Sequence, residues 1–207
     1  MRTQVIWKLP YDKLLYYERK VDFEMSKVSI FFAEGFEEIE ALTVVDLLRR
    51  SGIEAEMVSI TGSLTVTSSH KVCVTMDKLF EETDFSETDM LVLPGGMPGT
   101  RNLEAYEPLM KLVDTFYENG KYVTAICAAP SILGHRGMLK GRRACSFPEF
   151  ESHLEGAEVT HNSVEIAGNI ITARGMGCAI DFGLAIVTAF QGKEAADALA
   201  DKIVYQK

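Results

Sequence analysis

The sequence predicts an α/β protein: a mostly parallel central sheet with helices on both faces and one cysteine at a sharp strand-to-helix turn. Three observations lead there. Short, largely apolar runs, VSIFF at 28–32, MLVL at 90–93 and YVTAI at 122–126, read as short strands buried on both faces. Segments with helical spacing alternate with them, as crossover connections between parallel strands require. Gly- and Pro-rich loops fall where strands end, with Pro94-Gly95-Gly96 directly after one of them.

Taken in order, residues 1–26 mix aromatic and charged side chains without period and precede a second methionine, Met25. They are expected to be an extension or the product of an early start, with one domain over 27–207. After VSIFF, Ile39, Leu42, Val45 and Leu48 recur at helical spacing up to Gly52, a plausible helix stop. EAEMVSI at 54–60 reads as a second strand, and LTVT with KVCVTM as a small hairpin excursion. A helix is expected over about 105–118. CAAPSILGHRGML reads as a helix with Pro130 in its first turn, where a missing N–H costs nothing. Strand-like pieces follow at 142–146 and 157–160, then a hairpin over 164–173 turning at Gly168-Asn169, and helices at 178–190 and 194–204.

Composition narrows the function. The 207 residues are 47% apolar and 25% charged, with a formal charge of −9, and no Lys/Arg cluster supplies a nucleic-acid footprint. No apolar run approaches the ~18 residues of a membrane span, and Lys8, Asp12 and Lys13 interrupt any signal-peptide core, so a cytoplasmic location is expected. Neither a dinucleotide fingerprint nor a GxxxxGK[ST] phosphate loop occurs. Cys73, Cys127, Cys145 and Cys178 form no CxxC pair and have no zinc-type spacing with histidine, so no metal and no cofactor is expected.

In an open parallel sheet the binding crevice lies beyond the carboxyl ends of the strands. Four loops are expected there: 33–36, 94–99, 127–130 and 174–177. Cys127, between a strand and a helix and flanked by small Ala128 and Ala129, has the form of a nucleophile elbow, with helix amides placed to favour a thiolate. It reads equally as a core cysteine ending an apolar strand, and spacing leaves both open. Glu40, beside the apolar stripe begun by Ile39, is its expected partner, since a desolvated carboxyl has a raised pKa and can exchange protons with a thiol. Glu37 and Glu38 are expected to complement the helix dipole. Gly95 and Gly96 offer backbone amides for an oxyanion together with Ala128, or make an ordinary turn. Cys73 and Cys145 are expected in the core and Cys178 near the crevice as a possible second thiol. None of His70, His135, His153 and His161 adjoins Cys127 in sequence, with His153 and His161 left as candidates to fold back toward it.

Four blocks, AEGFEEIEALTVVDLLRRSGI at 33–53, LVLPGGMPGTRNL at 91–103, AICAAPSILG at 125–134 and TARGMGCAIDFGLAIV at 172–187, resemble the ThiJ/PfpI superfamily. The similarity runs from about Lys27 to Tyr205 and is strongest to the YajL-like branch, which includes the human Parkinson's-disease-associated deglycase. The resemblance implies a flavodoxin-like fold, Cys127 as reactive thiol, Glu40 hydrogen-bonded to it, Gly96 and Ala128 as the oxyanion pocket, and Arg174 as the arginine of an SRGPG-like loop. It also implies a homodimer. Three positions depart from the pattern. Ala128 stands where PfpI-type proteases have histidine, which disfavours proteolysis; Phe147 stands where the human protein has histidine; Met176 replaces the proline of the loop.

The implied activity is cofactor-independent cysteine chemistry on 2-oxoaldehydes, methylglyoxal or glyoxal, or on early glycation adducts of proteins, of the glyoxalase III or deglycase type. A different class, an oxidative-stress sensor or chaperone using the same cysteine, is the rival. Relatives also carry a thiamine-pathway label, although no segment here suggests a thiazole phosphate site. A glutamine amidotransferase is weaker still, because the C-terminal segment ADALADKIVYQK supplies no histidine.

Overall fold

The computed structural model describes residues 26–206. Its centre is a seven-stranded sheet built from β1 (Lys27–Phe32), β2 (Glu54–Ser59), β5 (Lys78–Leu79), β6 (Met90–Leu93), β7 (Tyr122–Ile126), β10 (Val164–Ala167) and β11 (Ile170–Ala173), in the spatial order β10-β11-β7-β6-β1-β2-β5. Every pairing is parallel except the β10–β11 hairpin. Two ribbons stand apart: β3 (Thr65–Thr67) with β4 (Cys73–Thr75), antiparallel, and β8 (Arg143–Ala144) with β9 (Glu158–Val159), parallel.

Strand periodicity sorts the core into two layers. Val28, Ile30 and Phe32 of β1, with Met90 and Val92 of β6, face one side, against α1 (Glu38–Arg50), α5 (Ala179–Gln191) and α6 (Lys193–Lys202). Phe31, Leu91, Leu93, Val123 and Ala125 face the other, against α2 (Gly99–Ala105), α3 (Glu107–Glu118) and α4 (Pro130–His135). Alternate residues of a strand point to opposite faces, so a strand that is apolar throughout needs helices on both. Buried hydroxyls on these strands find partners: Ser29 meets Thr88 at 3.3 Å, and Thr124 donates to the Leu91 carbonyl at 2.9 Å.

Several expectations need correction. Ile39 does not begin the buried stripe of α1. It is exposed, and the buried face is Glu40, Ala41, Val44, Val45, Leu47 and Leu48, because the helix starts rotated toward α5. There Gly183 admits the Leu47 side chain, whose Cδ1 would lie 2.6 Å from an added Cβ. One strand and one α-helix escaped the pattern: β5, too short at two residues for any periodicity, and α2, which opens on a glycine after the Pro-Gly-rich loop; so did the 3₁₀ helices Phe80–Glu82 and Pro148–His153. Cys73 is exposed on its two-stranded ribbon, which has too little covering to bury both faces, whereas Cys145 is buried as expected. The expected 1–26 extension lies, apart from Ser26, outside the described residues. No helix among the described residues is long and apolar enough to cross a membrane.

Candidate active site

Strands β1, β6, β7 and β11 are consecutive neighbours and parallel, so their carboxyl ends form one edge of the sheet. The four loops expected at the crevice are the four that leave these ends.

Cys127 leaves β7 with φ +64°, a left-handed conformation rare for a residue with a Cβ. Two hydrogen bonds hold it: its N–H donates to the Ala173 carbonyl at 2.9 Å, and its carbonyl accepts from the Phe147 N–H at 2.8 Å. Strain fixed from both sides in this way marks a residue whose direction matters. The turn is completed by the Ala129 N–H to the Ile126 carbonyl at 3.1 Å, and α4 then begins at Pro130.

Glu40, in the first turn of α1, is 1% exposed. Its Oε2 accepts the Gly95 N–H at 2.9 Å, while Oε1 is buried with no hydrogen-bond partner found for it. The Cys127 side chain lies against this carboxyl. Gly95 is wedged beside both groups: an added Cβ would stand 2.6 Å from Glu40 Oε2, 2.7 Å from Cys127 Cβ and 3.2 Å from Sγ. Gly96 (φ +93°) closes the same loop onto the start of α1, and the Gly95 carbonyl accepts the Glu37 N–H at 3.0 Å.

Burial sets the electrostatics. It raises the Glu40 carboxyl from 4.5 to about 7, a shift opposed by its bonds to Cys127 and Gly95 and helped by the Glu37 charge. Burial also raises the Cys127 thiol, and the facing Glu40 carboxylate raises it further, with the Ala128 amide opposing. The expectation of a dipole-lowered thiolate is thereby corrected. Desolvation and a neighbouring negative charge outweigh the end of a six-residue helix. Near neutrality the thiol holds its proton, while the buried carboxyl is part protonated and part ionised.

The other site residues divide. The Ala128 N–H faces the Cys127 sulfur. Gly95 N–H is engaged by Glu40, so it is not available to a substrate oxygen; no acceptor is found for the Gly96 N–H among the described residues. Arg174 sits one residue after the carbonyl that holds Cys127, but its guanidinium turns to Glu151 Oε1 and His161 Nδ1, both at 3.4 Å. His153 bonds His135 at 3.0 Å, and neither it nor His161 has a contact with Cys127 among those found. Cys178 is half-buried at the start of α5. Sequence reasoning missed Ser69 and His70, which reach from the β3–β4 ribbon to Glu37 and Glu38. Glu37, Glu38 and His70 bring metal-ligand-type atoms within 4.8 Å of one another. A separation of some thirty residues leaves no signal for that meeting in the chain.

A doubly covered parallel sheet with a strained cysteine and a buried carboxyl at the carboxyl edge of its strands defines an α/β protein built around a thiol–carboxyl pair. The model of the DJ-1/PfpI family matches residues 26–189, and the chain belongs to that family. It is 35% identical over 169 residues to DJ-1 homolog B of Arabidopsis thaliana, covering 81% of this chain and 39% of that one. This chain thus spans about two-fifths of that relative's length. It is 33% identical to Deglycase TK1284 of Thermococcus kodakarensis, covering 73% of this chain and 91% of that one. Oxidized Toxoplasma gondii DJ-1 superposes with a TM-score of 0.84 at 32% identity, covering 88% of this chain and all of that one.

Proposed function

We propose that this protein is a cofactor-independent cysteine enzyme that converts 2-oxoaldehydes, or their early adducts on proteins, to 2-hydroxy acids. The observation that carries the reading is the Glu40 carboxyl, buried against Cys127 and raised to about 7. A general base is most effective when its pKa lies near the working pH.

In this mechanism the Cys127 sulfur bonds to the aldehyde carbon of methylglyoxal as the ionised Glu40 takes the thiol proton and passes it to the carbonyl oxygen, giving a hemithioacetal and an ionised Glu40 again. Glu40 then moves the proton on that carbon to the neighbouring ketone carbon through an enediol. The former aldehyde is oxidised to the acid level and the ketone reduced to an alcohol, so no external oxidant or reductant is needed. Water cleaves the resulting thioester, releasing lactate and restoring the thiol. The Gly96 and Ala128 amides stabilise the developing oxyanion, and a homodimer belongs to the same reading. The similarity to a relative named a deglycase supports the substrate class.

The test is lactate formed from methylglyoxal by wild type, Cys127→Ser and Glu40→Gln. The reading expects turnover in wild type rising with pH through about 7, as Glu40 ionises, and loss of turnover in both variants. Equal, negligible turnover in wild type and Cys127→Ser would sink it. The rival, an oxidant sensor or chaperone, draws support from a similar protein described in oxidized form. A raised thiol opposes it, since oxidation proceeds through the thiolate. Peroxide-dependent client binding in wild type alone would favour that rival.

A further inference from the structure

Two elements leave Cys127 and meet again at their far ends. α4 follows the Cys127 turn directly, starting at Pro130 and ending at His135. The 3₁₀ helix Pro148–His153 is preceded by Phe147, whose N–H donates to the Cys127 carbonyl at 2.8 Å. Their last residues are bonded: His135 Nε2 and His153 Nδ1 lie 3.0 Å apart, with the rings edge to face and their centres 5.2 Å apart. The backbones touch there as well, since a Cβ on Gly134 would collide with the His153 carbonyl oxygen. α4 and the 3₁₀ helix thus close a loop, with the strained Cys127 at one end and two imidazoles at the other.

The imidazole link tolerates one positive charge and no more. His135 Nδ1 lies 2.6 Å from Glu104 Oε1 of α2, and a carboxylate only accepts, so that nitrogen bears a hydrogen. One further N–H then spans the gap between His135 Nε2 and His153 Nδ1, and the nitrogen that accepts it must be bare. When both rings are protonated, two N–H groups face each other across that gap and the bond becomes a repulsion between like charges. The charged groups around the pair are Glu104, Arg136 with its partner Asp114 and the nearby Glu107 of α3, and Glu151 and Glu155, which flank His153 in sequence. Glu151 is bonded to His161 and Arg174. No carboxylate bonds His153 among the described residues, so a second charge there meets no counter-ion.

We infer that His135 and His153 are positioning residues for Cys127: their mutual hydrogen bond clasps the 3₁₀ helix to α4, keeps the Phe147 N–H on the Cys127 carbonyl, and opens when acid charges both rings. The inference goes beyond the proposed activity, because it holds whether Cys127 turns over an aldehyde or is modified in another way. Opening removes one of the two hydrogen bonds that hold Cys127 at φ +64°. The thiol then relaxes out of the setting in which burial and the Glu40 charge retain its proton. Histidine changes charge between pH 5 and 8, which places the response in that range.

Exchange of the Phe147 amide, read by NMR and corrected for the intrinsic pH dependence of exchange, reports the bond to Cys127 directly. Three full-length proteins are compared at pH 7.5 and 5.5: wild type, His153→Asn, whose amide takes the place of Nδ1 and does not titrate, and His153→Leu, which fills the space without a polar atom. Protection of the Phe147 amide is expected to fall about five-fold on acidification in wild type, to stay high at both pH values in His153→Asn and to be low at both in His153→Leu. The second readout is the rate at which methyl methanethiosulfonate modifies Cys127 relative to glutathione at the same pH, followed by intact mass with Cys127→Ser as the blank for the other thiols. The sulfur forms a mixed disulfide and methanesulfinate leaves. This ratio is expected to rise about five-fold more on acidification in wild type than in His153→Asn, which carries the same Glu40.

Identical pH responses of wild type and His153→Asn in both readouts overturn the titrating clasp. Wild-type protection of the Phe147 amide in His153→Leu at pH 7.5 overturns the positioning role. So does a loss in His153→Leu shared equally by amides of β1 and α5, which assigns the effect to global stability. Neither readout uses turnover of methylglyoxal, so a protein that forms no lactate yet shows both responses loses the catalytic reading and keeps the clasp. A protein that forms lactate and shows neither loses only the clasp.

Discussion

Replacing Glu40 by Gln keeps the shape and the acceptor for Gly95 N–H while removing the charge, and besides abolishing turnover it should change how stability depends on pH. The folded carboxyl titrates at about 7 against 4.5 ordinarily, so between those values the folded state holds a proton that the unfolded state has released. A raised carboxyl therefore favours folding below 4.5, and its contribution is lost progressively as pH rises to about 7. At 1.36 kcal/mol per tenfold change in proton concentration, wild type should be about 3 kcal/mol less stable relative to Glu40→Gln at pH 8 than at pH 4.5. The source is physical: above 7 an ionised carboxylate sits in a site where one oxygen has no partner. Urea unfolding of both proteins from pH 4.5 to 8.5 measures the difference directly. A stability gap between the two that stays constant across that range would refute the buried-carboxyl argument, whatever the activity shows.

Three other outcomes follow from the same geometry. Removing the Glu40 charge should lower the Cys127 pKa, so Glu40→Gln is expected to alkylate at Cys127 about ten-fold faster at pH 8; a thiol titrating near ~8.5 in both proteins would dismiss the coupled pair. Gly95→Ala sets a methyl 2.6 Å from Glu40 Oε2 and 2.7 Å from Cys127 Cβ, so turnover should fall about a hundred-fold with the far-ultraviolet circular dichroism unchanged. Wild-type rates in that variant would mean the loop moves freely. Gly134→Ala drives a methyl into the His153 carbonyl where α4 meets the 3₁₀ helix at Pro148–His153, and should cost about 2 kcal/mol or more in thermal or urea unfolding.

The strands and the layering were legible in the chain because their signal is local. VSIFF, MLVL and YVTAI are apolar apart from Ser29 and Thr124, and a run of that kind suits a strand covered on both faces. The turn at Gly168-Asn169 and the start of α4 at Pro130 are equally local, set by backbone preferences of single residues. Local signal failed where an element was too short, as in β5, or where a face depended on a distant neighbour, as with Ile39 and Cys73.

Cys127 and Glu40 were legible as candidates, since a cysteine between an apolar strand and Ala-Ala-Pro can occupy few positions in such a sheet. Their chemistry was not. The sequence by itself determined the sheet, the edge at which the loops gather and the two residue types that meet there. Only the tertiary structure decided that Gly95 N–H is taken by Glu40, that Arg174 turns to Glu151 and His161, and that the thiol is raised instead of lowered. The reason is that pKa and hydrogen-bond partnership depend on solvent exclusion by chains remote in sequence. The helix-end preference that suggested a thiolate is local and small beside the desolvation that the folded protein imposes.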